Sequence, residues 1–356
     1  MKILHSADWH LDSPIVGRTP KQTELLHQAL LSVPGKVMAA AKDTQCDLVL
    51  LSGDLFDGAY TQESLSALKN ALEDVRIPVF IAPGNHDPIG TGSPWTGEVW
   101  PANVHIFTKN TIGSVSLPEL NCRVYGAAFT GPNAPALLEG FRAECEETYA
   151  VCVLHGDPTQ KSSPYCPISS DQVLSSGLDY LALGHIHKGG EFTSGSTLCA
   201  WPCCPQGRGF DELGAKGVLI VTLGEGAHSE ILPLDTLRFY DLETETGEDP
   251  IAALEGLLPP VGSQDLYRVT LTGESQPLDL DALTAHFSRF PNLELRDRTV
   301  PPLDIWGTAG EDTLEGIYFG LLHTAMDTAD ESDVARIHLA AKISRLILAG
   351  QELKLP

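Results

Sequence analysis

The sequence predicts an α/β fold, a layered sandwich in which helices cover the faces of a sheet of buried strands. Two observations indicate it. Short runs of residues that are apolar throughout recur along the first half of the chain, as expected of strands buried on both faces. Stretches with the composition of helices separate these runs. Strands that alternate with helices along a chain favour βαβ units and a layered α/β architecture.

The elements of this first half follow one another in a regular order. The predicted strands are residues 3–4, 48–51, 79–81, 151–154 and 180–183. The predicted helices between them are residues 22–42, 62–75 and 134–148. Open α/β sheets bind ligands beyond the carboxyl ends of their strands, so polar residues that directly follow a strand are the first candidates for a site.

The last third of the chain predicts a small α/β segment and then two helices. In order, the predicted strand, helix, strand and two helices are residues 267–271, 280–287, 293–295, 314–325 and 332–348. Asp312, with Glu315 three residues later, is a plausible capping pair for the first of the last two helices. The predicted domains are residues 1–236, 237–305 and 306–356.

Composition restricts the classes of protein that fit. The chain has 356 residues, 42% hydrophobic and 20% charged, which suits a globular protein of more than one domain. No apolar run reaches the length of a membrane span, and Met1-Lys2 leads directly into the first strand, so we expect a cytoplasmic protein with no signal peptide and no membrane partner. The eight cysteines lack Cys-x-x-Cys spacing and are expected to be free thiols.

A polar cluster directly follows each of the five predicted strands of the first half. The clusters are Asp8-Trp9-His10, Gly53-Asp54, Gly84-Asn85-His86-Asp87, His155-Gly156 and Gly184-His185-Ile186-His187. Taken singly, Gly-Asp after a strand is commonly a turn, and one histidine at the end of an apolar run is commonly structural. Gly-His-x-His is more specific, because alternate residues of an extended chain point the same way. The ordered set of Asp, His and Asn side chains predicts a two-metal phosphoesterase site at one rim of the fold.

These clusters resemble the motif series of calcineurin-like metallophosphoesterases. The resemblance includes Asp57, which follows the Gly53-Asp54 cluster, and Asp157, which follows His155-Gly156. Within that superfamily the chain is most similar to SbcD-type DNA repair exonuclease subunits, particularly the shorter YhaO-like branch. Residues 100–107 and 201–212 resemble that branch as well. The resemblance is strong over about residues 1–235 and weak beyond. It implies a metallophosphoesterase-type sandwich, then a capping domain, then a C-terminal helical segment that is a candidate for docking on an ATPase.

The resemblance also implies a set of metal ligands. One ion would be held by Asp8, His10, Asp54 and His187, and the other by Asp54, Asn85, His155 and His185. Asp54 is the natural bridge, because a carboxylate can offer a lone pair to each of two cations. Mixed oxygen and imidazole ligands suit Mn²⁺, Fe or Zn²⁺ better than Ca²⁺, and we expect two Mn²⁺ ions. A water activated between them would attack phosphorus in line.

Other residues near the motifs have implied roles. His86 follows a ligand and should face the substrate, where it would stabilise the transition state or protonate the leaving alcohol, with Asp87 holding its ring in the useful tautomer. Arg208 is a candidate phosphate contact. Cys203 and Cys204 stand where the resembling branch tends to have Gly and Ser, and we interpret them as small partly buried residues more readily than as reactive thiols.

The implied function is a metal-dependent phosphodiester hydrolase, the DNA exonuclease or endonuclease subunit of an SbcCD-like repair complex. Its expected partners are DNA, an SbcC-like ATPase with a coiled coil and, by family precedent, a second copy of the chain. The net charge of −24 argues against a protein that grips DNA alone, because phosphate binding is driven by cationic side chains. Lys161, Lys188, Arg208 and Lys216 could still form a local cationic rim.

Two alternatives remain open at this point. The acidic charge favours a phosphodiesterase or phosphatase that acts on nucleotides or other small phosphoesters. A regulatory scaffold for an ATPase is a further alternative, although an intact set of ligand residues argues against it. For the C-terminal helices, packing on their own domain and docking on the ATPase are equally good interpretations.

Overall fold

The computed structural model describes residues 1–144 and 146–350 of the chain. These residues form two compact units, Met1–Asp241 with Gln264–Tyr267, and Leu242–Ser263 with the residues from Arg268 onward. The predicted ligands all lie in the first unit. The predicted boundaries at residues 237 and 306 stay predictions, and residues 351–356 of the predicted helical segment lie outside the described part of the chain.

Two six-stranded mixed sheets form the first unit. The first has the order β12-β11-β1-β2-β3-β4, with β1 Lys2–Ser6, β2 Leu48–Leu51, β3 Val79–Ile81, β4 Val104–Ile106, β11 Gly217–Leu223 and β12 Ala227–Pro233. The second has the order β5-β6-β7-β8-β10-β9, with β5 Gly113–Leu117, β6 Cys122–Gly126, β7 Tyr149–His155, β8 Tyr180–Gly184, β9 Gly190–Ser194 and β10 Thr197–Trp201. In each sheet the central strands that carry the site run parallel to one another. All five predicted strands of the first half are confirmed.

Alternating side chains place each strand between two apolar layers. Leu48 and Leu50 belong to the core between the two sheets, whereas Val49 and Leu51 belong to the core beneath the helices on the outer face of the first sheet. The same division separates Ile3 from Leu4. A strand buried on both faces needs apolar residues at every position, which explains the uninterrupted apolar runs. The predicted layered α/β sandwich is confirmed.

The helices agree with the prediction in part. The helices of the first unit are α1 Pro20–Leu31, α2 Val33–Asp43, α3 Gln62–Val75, α4 Pro94–Gly97 and α5 Ser170–Ser175, with a 3₁₀ turn at Pro118–Leu120. The single helix predicted over 22–42 is two helices, because Ser32 ends α1 and Pro34 opens α2.

The helix predicted over 134–148 is wrong. The described residues of this stretch form turns and an isolated bridge between Ala134 and Tyr165. Pro135 and a left-handed Gly140, at φ 69°, oppose a helix. Leu138 and Phe141 of this stretch pack in irregular conformation on the outer face of the second sheet.

The remaining elements follow residue 238. A three-stranded sheet has the order β13-β14-β15, with β13 Phe239–Glu245, β14 Leu266–Thr272 and β15 Leu293–Asp297. The helices are α6 Pro250–Leu257, α7 Leu280–His286, α8 Leu314–Met326 and α9 Glu331–Leu348. The strands predicted over 267–271 and 293–295 and the three helices predicted after residue 279 are confirmed.

Helices α8 and α9 pack against each other around a small core. Phe319 and Ala341 are fully buried together with Ile305, while Leu314 and Leu321 of the predicted apolar face are 88% and 67% exposed. The cap of α8 is Thr313, whose side chain accepts a hydrogen bond from the Gly316 amide, so the capping pair predicted at Asp312 is one residue out. In the described part of the chain, none of the helices is both long and apolar enough to cross a lipid bilayer.

Candidate metal centre

The five polar clusters lie where the two sheets of the first unit meet. Three of them follow the carboxyl ends of β1, β2 and β3 in one sheet, and two follow β7 and β8 in the other. The predicted ligand His155 is the last residue of β7. Parallel strands place their carboxyl ends at the same edge, so clusters that are far apart in sequence lie close together in the fold.

Backbone conformation at this edge is unusual. Four predicted ligands have positive φ angles: 56° at Asp8, 46° at His10, 52° at Asp54 and 95° at His185. Residues with a Cβ rarely adopt this region, and such strain concentrates at functional sites where the surroundings impose it. Backbone hydrogen bonds impose it here, since the Asp8 amide donates to Gly53 O at 3.0 Å and the His10 amide to Asp54 O at 3.0 Å.

Two glycines allow the loops that carry the predicted ligands to approach one another this closely. A Cβ on Gly84 would lie 2.2 Å from Oδ1 of Asp54, and one on Gly184 would lie 2.1 Å from the carbonyl oxygen of Ser52. Any larger residue at either position would push a ligand loop away. The glycines of the Gly-Asn-His-Asp and Gly-His-Ile-His motifs are therefore required by close packing.

The first group of converging side chains is Asp8, His10 and His187. The Nε2 atoms of His10 and His187 are 3.1 Å apart, and Nε2 of His187 is 3.9 Å from Oδ1 of Asp8. Oδ2 of Asp54 lies 3.9 Å from Nε2 of His10. These four side chains are the ones predicted to share the first ion.

The second group is Asp54, Asn85 and His155. Nε2 of His155 is 3.2 Å from Oδ2 of Asp54 and 3.0 Å from Oδ1 of Asn85. The same oxygen of Asp54 thus faces a histidine of each group, which is the position of a bridging carboxylate. His86 also lies close to these residues. It has a possible ligand atom within 4.8 Å of those of His10 and Asp54.

His185 lies beside the second group and is less closely joined to it. Its ring packs edge-on against His155, with centroids 5.3 Å apart, and tilted against Tyr165 at 4.7 Å. Its backbone amide donates to Oδ1 of Asp8 at 3.0 Å. Among the described residues, His185 is absent from the tight clusters that hold the other predicted histidine ligands.

Partners outside the groups set the histidine tautomers. Nδ1–H of His155 donates to the carbonyl oxygen of Ser52 at 2.8 Å, and Nδ1–H of His187 donates to Oε1 of Glu212 at 2.7 Å. Each leaves its Nε2 lone pair directed at the centre. Histidines that bind metal ions are usually held in this way by an oxygen on the opposite ring nitrogen.

The electrostatics of the groups depend on burial and on mutual contacts. Burial raises the pKa of Asp8 above its usual value. Burial acts in the same direction on Asp54, but His155 and His10 outweigh it and hold the Asp54 pKa well below its usual range. Burial lowers the pKa of His155, but Asp54 and Asp8 overcome this and raise it to about 9. A cation is therefore strongly favoured among these carboxylates.

The donor set fits two divalent ions. Buried carboxylate oxygens, imidazole nitrogens and one amide oxygen converge from five loops, with Asp54 shared between the groups. This mixture of donors is typical of sites for Mn²⁺, Fe or Zn²⁺, and among the residues described it includes no thiolate.

His86 has a different partner from the one predicted. Its Nδ1 lies 2.6 Å from Oδ1 of Asp57, and its side chain is 46% exposed at the rim of the site. Asp57 also accepts a hydrogen bond from Nδ1 of His10, and this bond is the main cause of the lowered pKa of Asp57. The role of holding the His86 ring belongs to Asp57.

The prediction that Asp87 orients His86 is wrong. Asp87 is buried, and its carboxylate accepts hydrogen bonds from the backbone amides of Gly84 at 2.7 Å and Leu55 at 2.8 Å, with longer bonds from Asp54 and Phe56. Burial and the nearby Asp54 raise the pKa of Asp87 to about 7. Asp87 joins the loops after β2 and β3, and so positions the ligands.

Arg208 is engaged with Glu212, a residue that sequence reasoning missed. Nη2 of Arg208 donates to Oε1 of Glu212 at 2.7 Å, and the Arg208 amide donates to Oε2 at 2.8 Å. Glu212 holds His187, so this pair supports the centre from behind. A phosphate contact by Arg208 stays a prediction. Cys203 and Cys204 are buried and burial raises the pKa of both thiols, as the interpretation of small packing residues expects.

The residues that build this centre also match a known protein family. A profile described as calcineurin-like phosphoesterase matches residues 1–189, which contain the predicted metal ligands. The chain belongs to the calcineurin-like phosphoesterase family. Together with the donor clusters, membership makes this calcineurin-like phosphoesterase a metal-dependent hydrolase of phosphoesters.

Relatives of this phosphoesterase include a Bacillus subtilis (strain 168) protein described as uncharacterized metallophosphoesterase YhaO. It is 34% identical over 374 residues, which cover 94% of this chain and 89% of the relative. Among solved structures, TT1561 of Thermus thermophilus is 12% identical, with a TM-score of 0.40 over 65% of this chain and 98% of its own. A dimetal phosphatase from Danio rerio is 11% identical, with a TM-score of 0.43 over the same shares, 65% and 98%.

Proposed function

We propose that this phosphoesterase is the nuclease subunit of an SbcCD-like DNA repair complex and hydrolyses phosphodiester bonds of DNA with two Mn²⁺ ions. The observation that carries the phosphodiester part of the proposal is the placement of His86. Its exposed ring lies at the rim of buried ligand groups and is tied through Nδ1 to the carboxylate of Asp57. An imidazole in this position can serve a substrate that approaches from solvent.

His86 would act on the leaving oxygen of the substrate. The alkoxide released from a diester is a poor leaving group until it receives a proton. With Nδ1–H donated to Asp57, the carboxylate holds the ring, and Nε2 on its opposite side is left to face the substrate. Acid catalysis of this kind contributes roughly 10²–10⁴-fold to rate.

The ions would be held by one set of side chains. These are Asp8, His10, Asp54, Asn85, His155, His185 and His187. When bound, two divalent ions lower the pKa of a water and neutralise charge on the phosphoryl oxygens. The protein's part is to keep Nε2 of His155 and His187 directed inward, through Ser52 and Glu212, and to exclude bulk water from the buried carboxylates.

The partner protein would supply most of the grip on DNA. A chain with a net charge of −24 repels a polyanion over most of its surface, so an ATPase with a coiled coil is proposed to hold the duplex. Exposed apolar residues of α8, among them Leu314, Ile317 and Leu321, offer it a docking face.

A second candidate function is hydrolysis of nucleotides or other small phosphoesters. The net charge favours it, since a small substrate needs only a local cationic region. The two candidate functions use the same metal centre and differ in the size of the substrate that reaches it.

The test compares substrates in parallel. The full chain with Mn²⁺ is given labelled linear duplex DNA and bis(p-nitrophenyl) phosphate, each with and without the coiled-coil ATPase. We expect both to be hydrolysed, and DNA faster with the ATPase. Rapid turnover of the small diester with DNA left intact in every condition would replace the nuclease proposal with the second candidate.

A separate experiment tests docking by placing negatively charged side chains on the exposed face of α8. Leu314→Glu combined with Leu321→Glu should give soluble protein that hydrolyses the small diester at the wild-type rate and no longer co-purifies with the ATPase. Retention of the complex would rule out this face as the docking surface.

A further inference from the structure

A second cavity opens beside the metal centre, at the end of the first unit where β9, β10 and β12 meet. It measures about 400 Å³, and its lining includes Lys188, Lys216, Trp201 and Ile231. We propose that this cavity is a nucleotide subsite, in which the phosphate of one nucleotide binds the two ammonium groups and its base contacts the indole of Trp201. The proposal rests on the proposed function in one respect. It assumes that the phosphodiester next to the bound nucleotide in the substrate is the one that the metal centre hydrolyses.

Lys216 is the strongest indication of an anionic ligand. Its side chain lines the cavity although the residue is only 6% exposed. Among the described residues its ammonium has no ion-pair or hydrogen-bond partner. Its positive charge is therefore available to bind an anion that enters the cavity.

Lys188 adds a second positive charge from an exposed position on the same cavity. It likewise lacks an ion-pair partner in the described part of the chain. Glu191 also lines the cavity, where its carboxylate accepts a hydrogen bond from Oγ of Ser229. The two lysines exceed this single carboxylate, so the cavity is positive within a chain whose net charge is −24.

The other wall of the cavity is apolar and aromatic. Trp201 lies against the backbone of Gly190, where a Cβ would come within 2.5 Å of the indole. Leu213 and Ile231 line the same cavity and are 44% and 53% exposed, so their apolar surface is accessible to a ligand. Cations beside a partly exposed indole and apolar side chains match a nucleotide, whose phosphate is charged and whose base stacks on aromatic rings.

The cavity is joined to the metal centre through the backbone. Lys188 directly follows the ligand His187, and its carbonyl oxygen accepts a hydrogen bond from Nε1 of Trp201 at 2.9 Å. Cys203, which also lines the cavity, is close enough to Asp8 and to Lys216 for both charges to act on its thiol. The cavity therefore adjoins the loop that carries His187.

The experiment measures binding of thymidine 5′-monophosphate by calorimetry, with thymidine and inorganic phosphate as comparison ligands, to the full chain in Mn²⁺ buffer. We expect Lys188→Gln, Lys216→Met and Trp201→Leu each to raise the Kd for the nucleotide at least tenfold. Glu191→Gln should lower it several-fold, because it removes the opposing charge. Lys21→Gln, an exposed lysine of α1, is the control and should leave the Kd unchanged.

The outcomes separate the subsite from the function. An unchanged Kd in the folded Lys188→Gln and Trp201→Leu proteins would overturn the subsite. Lys188 is exposed, so its variant keeps the test valid if Lys216→Met fails to fold. Equal loss of phosphate binding in the lysine variants, with no effect of Trp201→Leu, would also overturn it, by leaving an anion site without a base. If the expected pattern is found but no diester is cleaved, the subsite stands and the proposed function fails.

Discussion

Nδ1 of His86 lies 2.6 Å from Oδ1 of Asp57, and the same oxygen lies 3.3 Å from Nδ1 of His10. One carboxylate thus connects an exposed histidine at the rim to a buried histidine of the metal centre. In both contacts the Nδ1–H donates, so both rings keep Nε2 for the site. Asp57 therefore links the binding of the ion to the orientation of the group that acts on the substrate.

The first prediction concerns this link. Asp57→Asn should reduce kcat for a phosphodiester by about 10–100-fold, as removal of partners behind active-site histidines usually does. The free energy of unfolding should change by less than about 1 kcal/mol, because Asp57 is partly exposed. Steady-state kinetics and urea unfolding measure the two quantities. An unchanged kcat would show that Asp57 does not orient His86 for catalysis.

The second prediction is the opposite pattern for Asp87. Asp87→Ala leaves the buried amides of Gly84 and Leu55 without acceptors, which should cost at least about 2 kcal/mol of unfolding free energy. Metal binding should weaken too, because the loops that carry Asp54 and Asn85 are no longer joined. Urea unfolding of the metal-free protein tests this. A decrease in unfolding free energy of less than about 0.5 kcal/mol, the size usual for surface substitutions, would contradict it.

The third prediction concerns the close approach of the loops after β2 and β3. Gly84→Ala places a methyl group against Oδ1 of Asp54 and should lower the metal content per chain, with activity reduced by roughly two orders of magnitude. Gly90→Ala is the matched control, since a Cβ there meets no atom within 4 Å. Elemental analysis after gel filtration gives the metal content. Equal metal content in the two variants would contradict the packing argument.

The strands and the convergence of the candidate ligands could be predicted from sequence because both leave local signals. A strand buried on both faces must be apolar at every position, as residues 48–51 are, and each ligand directly follows such a strand. The support around the ligands leaves no such signal. Glu212 holds His187 from 25 residues away, and this pairing depends on how the chain returns across the fold.

The same reasoning explains the errors. The composition of residues 134–148 predicts a helix, yet Pro135 and Gly140 determine the local backbone. The apolar side chains of Leu138 and Phe141 reach the core from irregular backbone. Adjacency in sequence predicts a contact between Asp87 and His86. Its carboxylate instead reaches back to the loop after β2, which only the tertiary structure brings close.

The fourth prediction concerns pH and His5, a buried residue of β1 whose ring lies between Oη of Tyr180 at 2.6 Å and Oγ of Ser52 at 2.7 Å. Burial lowers the pKa of His5 from 6.5 to about 3. Between these values the unfolded chain binds a proton that the folded chain does not. Acid should therefore destabilise the fold through this group by up to about 1.4 kcal/mol per pH unit below pH 6.5.

The measurement is urea unfolding of wild type and His5→Gln at pH 7, 6 and 5, with chelator in every sample so that release of metal does not contribute. At pH 7 the wild type should be the more stable, and its advantage should shrink as the pH falls. An advantage that stays constant or grows on acidification would show that His5 is protonated in the fold.

The central claim is that Asp54 is shared by two divalent ions at the carboxyl ends of β1, β2, β3, β7 and β8. Anomalous scattering from a crystal of the chain grown with Mn²⁺ tests it most directly. We predict two peaks, one beside His10 and His187 and one beside His155 and Asn85, with Asp54 between them. A single peak, or manganese bound elsewhere with these side chains unliganded, would contradict the account.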